Sequence, residues 1–458
     1  MTGPSKRSNP GNRAVDSQIV SSQIVSSQID SSQIDRSQNA GAQICNVAIL
    51  GLGTVGSSVA RILCERSNTR LRLTHVLNRN VARKKVDWLH PTVRWTENID
   101  DVLSSDVDIV VEVMGGLQPT EDWIRRTLAA GKSVVTANKQ LVARCGPELI
   151  SLARQMKQQI QFGASVAGGV PVISGLHEGL AGDELFKICG ILNGTCNYIL
   201  SQIEGNRIPF AIALREAQKL GFAEADPTED IEGLDARAKL AILARVGLHC
   251  NVKPESIVAR SISAIDTVDF EYAKQLGCTI RQISCAELQV DNLFAAVQPA
   301  LVELSSPLAR VEGSKNLVMA TGKYGGETVF GGHGAGGHPT AVAVVSDILA
   351  IARAKQSGIN DDMQPAEKTP TVTADVTSKH YLRFMVRDRP GIIAILATIL
   401  SACGINIDAV VQKPGCEKTH LPFLITLEEC KGSLVEQALQ QINSLDFQVQ
   451  PCLHLPIL

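Results

Sequence analysis

The densest group of polar side chains lies between residues 224 and 239. Within it, Asp235 and Lys239 are four residues apart and share one face of any helix that contains them. In most proteins a pair at this spacing is a surface ion pair. The apolar run 240–244 that follows favours a buried helix instead. A buried lysine beside an aspartate must be paired, and such a lysine is a candidate proton donor.

A second candidate site is the pattern G-x-G-x-x-G formed by Gly51, Gly53 and Gly56. The pattern follows an apolar strand predicted over 46–50 and opens a helix predicted over 54–65. In this context the three glycines allow a tight turn, close approach of a pyrophosphate to the backbone, and close packing of helix on strand. The free N–H groups of the first helical turn would then face the phosphates, so the pattern predicts a dinucleotide site.

The end of the second predicted strand indicates which nicotinamide dinucleotide is bound. An NAD-selective site has Asp or Glu there, whereas this sequence has Leu77-Asn78-Arg79-Asn80, with Arg83-Lys84-Lys85 just beyond. Arg79 would meet a 2′-phosphate, which favours NADP over NAD. The alternative is that these cations form a solvated helix face.

Alternation of short apolar strands with helices predicts an α/β fold. Strands predicted over 46–50, 71–77, 107–113 and 134–136 indicate a Rossmann-type, doubly wound parallel sheet. The middle of the chain mixes strands with long helices, as an α+β domain does. The C-terminal part, from residue 378, is predicted to follow the ferredoxin-like order βαββαβ, with its final strand over 447–453.

Length, composition and charge limit the class of protein. The 458 residues exceed one ordinary core. A net charge of −2 without a long basic stretch argues against a nucleic-acid partner. No apolar stretch approaches the roughly 20 residues that span a bilayer, so no membrane is expected. The 12 cysteines include no C-x-x-C pair, and we therefore expect a cytoplasmic protein with reduced cysteines.

Six motifs agree in order and spacing with one family, and the sequence resembles the homoserine dehydrogenases over about residues 45 to 455. The resemblance implies NAD(P)H-dependent reduction of L-aspartate 4-semialdehyde to L-homoserine, in the biosynthesis of threonine, methionine and isoleucine. The motifs that carry it are 51–56, Thr136-Ala137-Asn138-Lys139, 165–171, Leu192-Asn193-Gly194-Thr195, 224–239 and 334–341.

The resemblance also implies a role for each site residue. Hydride transfer would turn the aldehyde oxygen into an alkoxide, which needs a proton and electrostatic stabilisation. Lys239 would donate the proton, directly or through water, Asp235 would orient it, and Lys139 would be a second cation between cofactor and substrate. The implied substrate contacts are Glu224, for the α-ammonium group, Asp230, Gly194 and Thr195. The implied cofactor contacts are Gly51, Gly53, Thr54, Val55, Gly56, Arg79, Lys139 and Gly334.

A monovalent cation is also implied by the resemblance. The carbonyls that would bind Na⁺ belong to Val166, Gly168 and Val170. The family often has a glutamate where this sequence has Gly163, so one side-chain ligand is missing. Whether the carbonyls alone hold Na⁺ stays open.

The C-terminal unit resembles an ACT domain, a small-molecule sensor that usually works as a dimer. Gly391, at a strand-to-helix turn, would let a ligand approach the backbone, and Asn406 would contact an amino acid. The implied function is feedback inhibition by threonine. The alternative is a dimerisation module without a ligand, and a homodimer or homotetramer is expected in either case.

Together these features divide the chain into six parts. The first has a repeated five-residue unit of Ser, Gln and Ile that is too polar to form a core. The parts are a disordered tail (1–42), an NAD(P)-binding domain (43–168), a catalytic and dimerisation domain (169–330), a glycine-rich loop and helix that return to the nucleotide domain (331–355), a linker (356–377) and the ACT domain (378–458).

Two rival functions use the same residues differently. Cys196 would be a nucleophile if the chain were an aldehyde-oxidising enzyme that forms a thiohemiacetal. Such an enzyme also needs a paired histidine, and none lies in the neighbouring motifs. A non-catalytic nucleotide-binding regulator would be expected to have lost Lys139, Asp235 or Lys239, and all three are present.

Overall fold

The computed structural model describes Gly3 and residues 44–66, 70–290, 292–358 and 368–458. The chain divides into the units Met1–Gln43 and Ile44–Leu458, and everything below concerns the second. The tail predicted over 1–42 lies outside the described residues, apart from Gly3.

The secondary structure alternates between strands and helices in the first third of the unit and is richer in strands afterwards. The strands are β1 (Cys45–Leu50), β2 (Leu71–Leu77), β3 (Arg94–Thr96), β4 (Ile109–Glu112), β5 (Ser133–Thr136), β6 (Ile160–Gln161), β7 (Leu185–Ile191), β8 (Val258–Ala259), β9 (Cys278–Leu288), β10 (Asn292–Glu303), β11 (Lys315–Gly322), β12 (Gly326–His333), β13 (Thr371–Thr373), β14 (Thr377–Val386), β15 (Ile407–Gln412), β16 (Leu421–Lys431) and β17 (Leu453–Ile457). The helices are α1 (Thr54–Glu65), α2 (Val81–Lys84), α3 (Ile99–Leu103), α4 (Thr120–Ala129), α5 (Lys139–Gln155), α6 (Val172–Ser174), α7 (Gly194–Asn206), α8 (Phe210–Lys219), α9 (Thr228–Ile231), α10 (Leu234–Gly247), α11 (Thr267–Gln275), α12 (Gly337–Ser357), α13 (Ile392–Ala402) and α14 (Gly432–Ile442), with short 3-10 or π turns at Gly163–Ser165, Gly175–Gly179, Pro254–Ser256 and Pro307–Arg310.

The first sheet is parallel, with the strand order β3-β2-β1-β4-β5-β6. This is the order of a dinucleotide-binding doubly wound sheet, and it confirms the predicted class. Its inner strands are largely apolar and buried because helices cover both faces. The chain leaves β1 in one direction and β4 in the other, so a crevice opens at their carboxyl ends, where the motif 51–56 lies.

Helix α12 returns from far along the chain to pack against α1. Its buried face, which includes Ala341, Val344 and Ile348, lies in the same hydrophobic cluster as Val47 and Val59 of β1 and α1. The segment 331–355 is thus part of the nucleotide-binding unit in space, although about 170 residues separate it from that unit's last strand.

A second, mixed sheet carries the rest of the unit. Its path is β12-β11-β7-β9-β10-β17-β14-β16-β15, and β8 and β13 also pair with β10. The last four strands and helices α13 and α14 form the βαββαβ unit, with the ferredoxin-like order of fourth, first, third and second strand, as predicted. Its edge is continuous with the larger sheet, because β17 pairs with β10 at Ile457 and Leu301.

Helix α10 is buried nearly all round, which confirms the inference from its apolar run. It starts after Gly233, whose φ of +74° suits a glycine. Every residue from Leu240 to Gly247 is buried, Arg245 included, because that guanidinium donates to the carbonyls of Val142 and Ala143 on α5.

Three sequence expectations differ from the structure. The range 356–377 is not simply a linker, since its described parts contain the end of α12 and the strand β13. The final strand, expected over 447–453, is β17 at Leu453–Ile457. The cysteines are not all reduced: Cys189 and Cys285 face each other in the antiparallel pair β7–β9, with Cα atoms 4.2 Å apart, and form a disulfide.

In the described part of the chain no helix combines the length and apolarity needed to cross a membrane.

Candidate active site

A buried aspartate at the start of α10 is the centre of the polar cluster. Asp235 is only 4% exposed, and three donors surround its carboxylate. Lys239 Nζ lies 2.7 Å from Oδ2, Lys139 Nζ lies 2.5 Å from Oδ1, and Asn193 Nδ2 donates to Oδ2 at 2.9 Å. Lys139 is the first residue of α5, so helices from two parts of the unit meet at one carboxylate.

The electrostatics of the cluster follow from this geometry. Burial alone would raise the pKa of Asp235, but the ammonium groups of Lys239 and Lys139 outweigh it and hold that pKa below its ordinary value. Burial would lower the pKa of Lys139, yet the attraction of Asp235 raises it overall. The pKa of nearby Asp230 is raised by burial. The cluster thus holds one firmly ionised acid between two cations.

Lys239 is placed to give up a proton. Its Nζ donates to the carbonyl of Leu192 at 2.9 Å and to Asp235. An ammonium group has three N–H bonds, and the contacts among the described residues use two. The side chain is 13% exposed, so the remaining N–H can meet a bound substrate.

The side chain of Asn193 belongs to the cluster, a role that was not predicted from the sequence. Its Oδ1 caps α7 by accepting from the N–H of Cys196 at 2.8 Å. Its Nδ2 bridges the two acids, donating to Asp230 at 2.7 Å and to Asp235. An asparagine at a helix start is common, so only the contact with the acids reveals this role.

The other residues expected to contact the substrate differ in their surroundings and in their hydrogen bonds. Gly194 opens α7, and a Cβ there would lie 2.6 Å from the carbonyl oxygen of Ser314. The hydroxyl of Thr195 already donates to the carbonyl of Phe222 at 2.7 Å. Glu224 lies in the same loop as Phe222, exposed, and its side chain makes no hydrogen bond or ion pair with the residues that the structure describes. Glu224 thus makes no contact with the cluster itself, and its role toward the substrate stays a prediction.

The glycine motif has the geometry that a dinucleotide needs. Gly51 has a φ of +98°, and a Cβ at Gly56 would lie 2.0 Å from the Gly51 carbonyl oxygen, so neither position accepts a side chain. Around Gly53 a Cβ would meet nothing within 4 Å, which leaves open space in front of the backbone. Thr54 and Val55 form the first turn of α1 at the same place.

A cleft of about 840 Å³, counted to its open mouth, begins at these glycines. Arg79 and Lys84 line it, whereas Arg83 and Lys85 do not. All four cations are exposed to solvent, and two of them, Arg79 and Lys84, lie where a ligand in the cleft would meet them. The lining residues are Gly51, Leu52, Gly53, Asn78, Arg79, Lys84, Val113, Met114, Gly115, Gln118, Pro119, Thr120 and Trp123.

A buried acid ties the cleft to the cluster. Glu112 ends β4 and is fully buried, which raises its pKa. It accepts from the N–H groups of Met114 and Gly115, at 2.8 and 3.1 Å, and from the Thr136 hydroxyl at 2.5 Å. Asn138 continues the link, since its Nδ2 donates to the Gly116 carbonyl and its Oδ1 caps α5, directly before Lys139. Glu112 could have been found from the sequence, because it is an acid at the end of an apolar strand.

The second glycine-rich loop closes the site from the other side. A Cβ at Gly337 would lie 3.0 Å from Thr54 Cγ2, and a Cβ at Gly168 would lie 2.5 Å from the Gly334 carbonyl oxygen. Gly334 also packs on Asn316, a buried residue whose amide nitrogen and oxygen have no partner in the described ranges. Asn316 was not foreseen, because nothing in its local sequence marks it.

The expected cation loop has one unforeseen neighbour. Gly163 donates its N–H to Asp347 of α12 at 2.8 Å, and a Cβ at position 163 would lie 2.8 Å from Asp347 Oδ1. A carboxylate from another helix thus stands where a side chain at 163 would begin. The carbonyl of Val170 already accepts from the N–H of Val172 at 2.8 Å. Val166 and Gly168 are buried in the same loop.

Cys196 does not have the environment of a nucleophile. It is fully buried, which raises the pKa of its thiol well above the ordinary value, and the nearby acids raise it further. Its Sγ donates to the carbonyl of Asp230 at 3.1 Å. The thiol is thus a structural group beneath the cluster.

In the C-terminal unit, the structure brings only one of the two expected ligand contacts to a pocket. Gly391, with a φ of +92°, begins α13 beside a pocket of about 600 Å³ that Asp388, Arg389 and Gln412 also line. Asn406 does not line it, because its side chain donates to Glu428 at 3.1 Å.

A Rossmann-type domain joined to a buried Lys–Asp–Lys cluster defines an NAD(P)-dependent oxidoreductase, and comparison with known proteins agrees. Residues 171–349 match the family model "Homoserine dehydrogenase", residues 51–163 match "Homoserine dehydrogenase, NAD binding domain", and residues 380–447 match "ACT domain". The homoserine dehydrogenase of Bacillus subtilis is 39% identical over 412 residues, which are 87% of this chain and 95% of that protein. The chain belongs to the homoserine dehydrogenase family.

Solved structures give the same result. The crystal structure of a homoserine dehydrogenase from Thiobacillus denitrificans superposes with a TM-score of 0.84 at 33% identity, covering 90% of this chain and 98% of that one. A hyperthermophilic archaeal homoserine dehydrogenase in complex with NADPH superposes with a TM-score of 0.59 at 26% identity, over 70% of this chain and 99% of that one. The fold class and the ACT domain predicted from the sequence are thereby confirmed.

Proposed function

We propose that this enzyme reduces L-aspartate 4-semialdehyde to L-homoserine with NADPH. The observation that carries the proposal is the contact of Lys139 and Lys239 with one buried acid, Asp235, next to the loop that lines the dinucleotide cleft. Hydride addition to an aldehyde creates negative charge on oxygen, and two cations in a partly dehydrated site stabilise such charge strongly.

The residues divide the chemistry between them. A reduced nicotinamide bound in the cleft supplies the hydride to the aldehyde carbon. Lys239 donates a proton to the oxygen, directly or through one water, and is left as an amine that solvent reprotonates. Asp235 holds Lys239 in place with its second oxygen committed to Lys139. Lys139 keeps its proton, because Asp235 raises its pKa, and acts as a fixed positive charge.

The substrate's amino-acid end is assigned to the acidic side of the cluster. Asp230, fixed by Asn193, accepts from the α-ammonium group, while Gly194 and Thr195 offer polar contacts from the start of α7. The exposed carboxylate of Glu224, which has no partner among the described residues, is a second acceptor for that ammonium group. Arg79 binds the 2′-phosphate, supported by its place in the cleft.

The deciding experiment is spectrophotometric oxidation of NADPH, and separately of NADH, by L-aspartate 4-semialdehyde. Turnover that is faster at low NADPH than at low NADH supports both the reaction and the cofactor preference. A preparation that binds NADPH but turns over neither cofactor with this substrate contradicts the proposal.

Two further assignments rest on the same proposal. Na⁺ is bound by the carbonyls of Val166, Gly168 and Val170, a role supported by the carboxylate of Asp347 that stands beside Gly163. Threonine inhibits through the ACT domain, at the turn of Gly391. The homo-oligomeric state and the cytoplasmic location stay predictions from the sequence.

A further inference from the structure

Glu112 is the last residue of β4 and lies between two strands whose ends lead to site residues. On one side it pairs with Leu50 of β1, directly before the glycine motif. On the other side it pairs with Thr136 of β5, three residues before Lys139. The carboxyl ends of parallel strands share one edge of the sheet, where doubly wound folds bind their ligands. Glu112 is thus in the middle of the edge that leads to the cofactor cleft and to Lys139.

The carboxylate of Glu112 holds the loop that follows it and, at the same time, a residue of the neighbouring strand. Its Oε1 accepts from the N–H groups of Met114 and Gly115, at 2.8 and 3.1 Å. Its Oε2 accepts from the hydroxyl of Thr136 at 2.5 Å. Met114 and Gly115 line the cofactor cleft, whereas Glu112 does not. The carboxylate therefore acts on a bound cofactor only through these neighbours.

Thr136 connects this carboxylate to the turn that carries Lys139. Its hydroxyl donates to Glu112 and accepts from the N–H of Asn138 at 3.0 Å. Asn138 caps α5, whose first residue is Lys139, and its Nδ2 donates to the carbonyl of Gly116 at 2.6 Å. One continuous set of hydrogen bonds thus fixes the position of Lys139 relative to the loop that lines the cleft.

A role in the scaffold alone does not explain why this residue is an acid. Glu112 is fully buried, which raises its pKa, and the groups that partly offset burial are hydrogen-bond donors and include no cation. The buried Asp269, by contrast, pairs with Arg383. Burying a carboxylate without a cation costs folding stability, and an apolar residue at the end of this apolar strand would avoid that cost. What the acid provides is three directed hydrogen bonds, all to the loop and the turn of the site.

We propose that Glu112 is a positioning residue for hydride transfer, because through Thr136 it sets the position of Lys139 relative to the bound cofactor. The inference rests on the proposed function and adds to it a residue that is outside both the cluster and the cleft. Lys139 contacts Asp235 at 2.5 Å, so a shift of the turn 136–139 moves one cation of the cluster. A displacement of about 1 Å at a reacting centre can lower a rate by about 10².

Glu112→Gln is the first test, because an amide has nearly the same shape but only one acceptor oxygen. If that oxygen keeps the N–H groups of Met114 and Gly115, the NH₂ group donates to Thr136, whose own hydrogen then lacks an acceptor. The opposite orientation would set the NH₂ group against two N–H donors. The loop thus stays fixed while the turn loosens. We expect turnover per folded molecule to fall about tenfold or more, while the Kd for NADPH, measured by fluorescence, changes little.

Thr136→Val tests the next hydrogen bond with little change of shape. It removes the hydroxyl and leaves the contacts of Glu112 with the loop in place. We expect the same loss of turnover with the same affinity for NADPH. Thr136→Ser, which keeps the hydroxyl, should recover most of the turnover. In the double variant the two losses should be clearly less than additive in free energy, since both changes break one link.

The deuterium isotope effect separates positioning from a merely structural role. With NADPH deuterated at C4 of the nicotinamide, the primary isotope effect on turnover should be larger in Glu112→Gln and Thr136→Val than in the wild type, because hydride transfer becomes slower relative to the other steps. The matched control is Asp269→Asn, since Asp269 is also a fully buried acid with a raised pKa and lies outside this link. It should lose stability and keep both its turnover per folded molecule and its isotope effect.

Several results would overturn the role of Glu112. These are near-normal turnover in folded Glu112→Gln, an equal loss in Asp269→Asn, or a loss in Thr136→Val that Thr136→Ser does not reverse. If Glu112→Gln does not fold, the two Thr136 variants decide the question. A wild-type chain that binds NADPH and reduces no aldehyde contradicts the proposed function, and the role of Glu112 falls with it. Normal wild-type turnover with unaffected variants removes the role of Glu112 alone.

Discussion

Replacing Asp235 by asparagine is the sharpest perturbation of the cluster. The amide has nearly the same shape as the carboxylate, but its NH₂ group cannot accept from the surrounding donors. Lys239, Lys139 and Asn193 all present donors to the carboxylate. An amide has one acceptor oxygen and one NH₂ group. Whichever way the new amide is turned, its NH₂ faces a donor, and two ammonium groups lose their counter-charge.

The expected magnitudes follow from that geometry. Removing one partner of a buried ion pair costs about 3–5 kcal/mol of folding stability. The pKa of Asp235 is held below its ordinary value of 3.8, so its ionisation stabilises the folded state above that pH and the contribution is lost as pH falls through the folded value. The stability deficit of the variant should therefore be complete at neutral pH and shrink below pH 3.8.

The catalytic loss should be separable from the loss of stability. Without its anchor Lys239 no longer points at the aldehyde oxygen, and turnover should fall by about 10²–10⁴, the usual contribution of a positioned acid. The assay is NADPH oxidation by L-aspartate 4-semialdehyde, well below the melting temperature of the variant, with the active fraction counted by NADPH binding.

Asp269→Asn is the matched control. Asp269 is equally buried and surrounded by donors, accepting from Arg383 Nε at 2.8 Å and Tyr381 OH at 2.7 Å, but it lies outside the cluster. Burial raises its pKa, so its ionisation costs folding stability at neutral pH, but the amide would leave the buried Arg383 without its counter-charge. The control should lose stability and keep its turnover per folded molecule. Near-normal turnover of Asp235→Asn, or an equal loss in both variants, would refute the assignment of Asp235.

Three other predictions test neighbouring assignments. Arg79→Ala should raise the KM for NADPH about tenfold and the KM for NADH little, because Arg79 lines the cleft where a 2′-phosphate would lie; equal changes would remove that role. Cys196→Ser should keep its turnover, since the buried thiol donates to the Asp230 carbonyl and a serine hydroxyl can do the same, and an inactive but folded variant would revive the covalent mechanism. Burial raises the pKa of Asp347 to about 7, so its ionisation destabilises the folded state progressively from pH 3.8 to about 7 and fully above; in Na⁺-free buffer Asp347→Asn should gain melting temperature relative to wild type as pH rises from 5 to 8, and a gain independent of pH would contradict this.

Patterns that lie within one element were predictable from the sequence. The glycine motif, the alternation of strands and helices and the C-terminal βαββαβ order each depend on local spacing, and each is present in the structure. The burial of α10 followed from an apolar run that left no polar face. Asp235 and Lys239 were recognisable as a pair because one helical turn brings them together.

Contacts between distant elements were not predictable in this way. The approach of Lys139 to Asp235, the pairing of Cys189 with Cys285 and the position of Asp347 beside Gly163 all depend on how helices and strands dock. The position of Asn406 outside the pocket at Gly391 was unpredictable for the same reason, since its partner Glu428 lies on a neighbouring strand. A single sequence contains no periodicity that reports such contacts.

The pKa values of the buried acids distinguish the candidate active site from the rest of the fold. Among the fully buried acids of the described ranges, Glu112 and Asp269 have raised pKa values, because hydrogen bonds and at most one cation do not offset burial. Asp235 has a lowered pKa because two ammonium groups from two helices face it. Its charge therefore depends on the docking of α5 against α10, which places the nucleotide-binding unit beside the substrate residues. The docking of α5 against α10 thus also keeps the Lys–Asp–Lys cluster ionised and correctly oriented. Any change that separates these two helices should lower turnover before it abolishes cofactor binding.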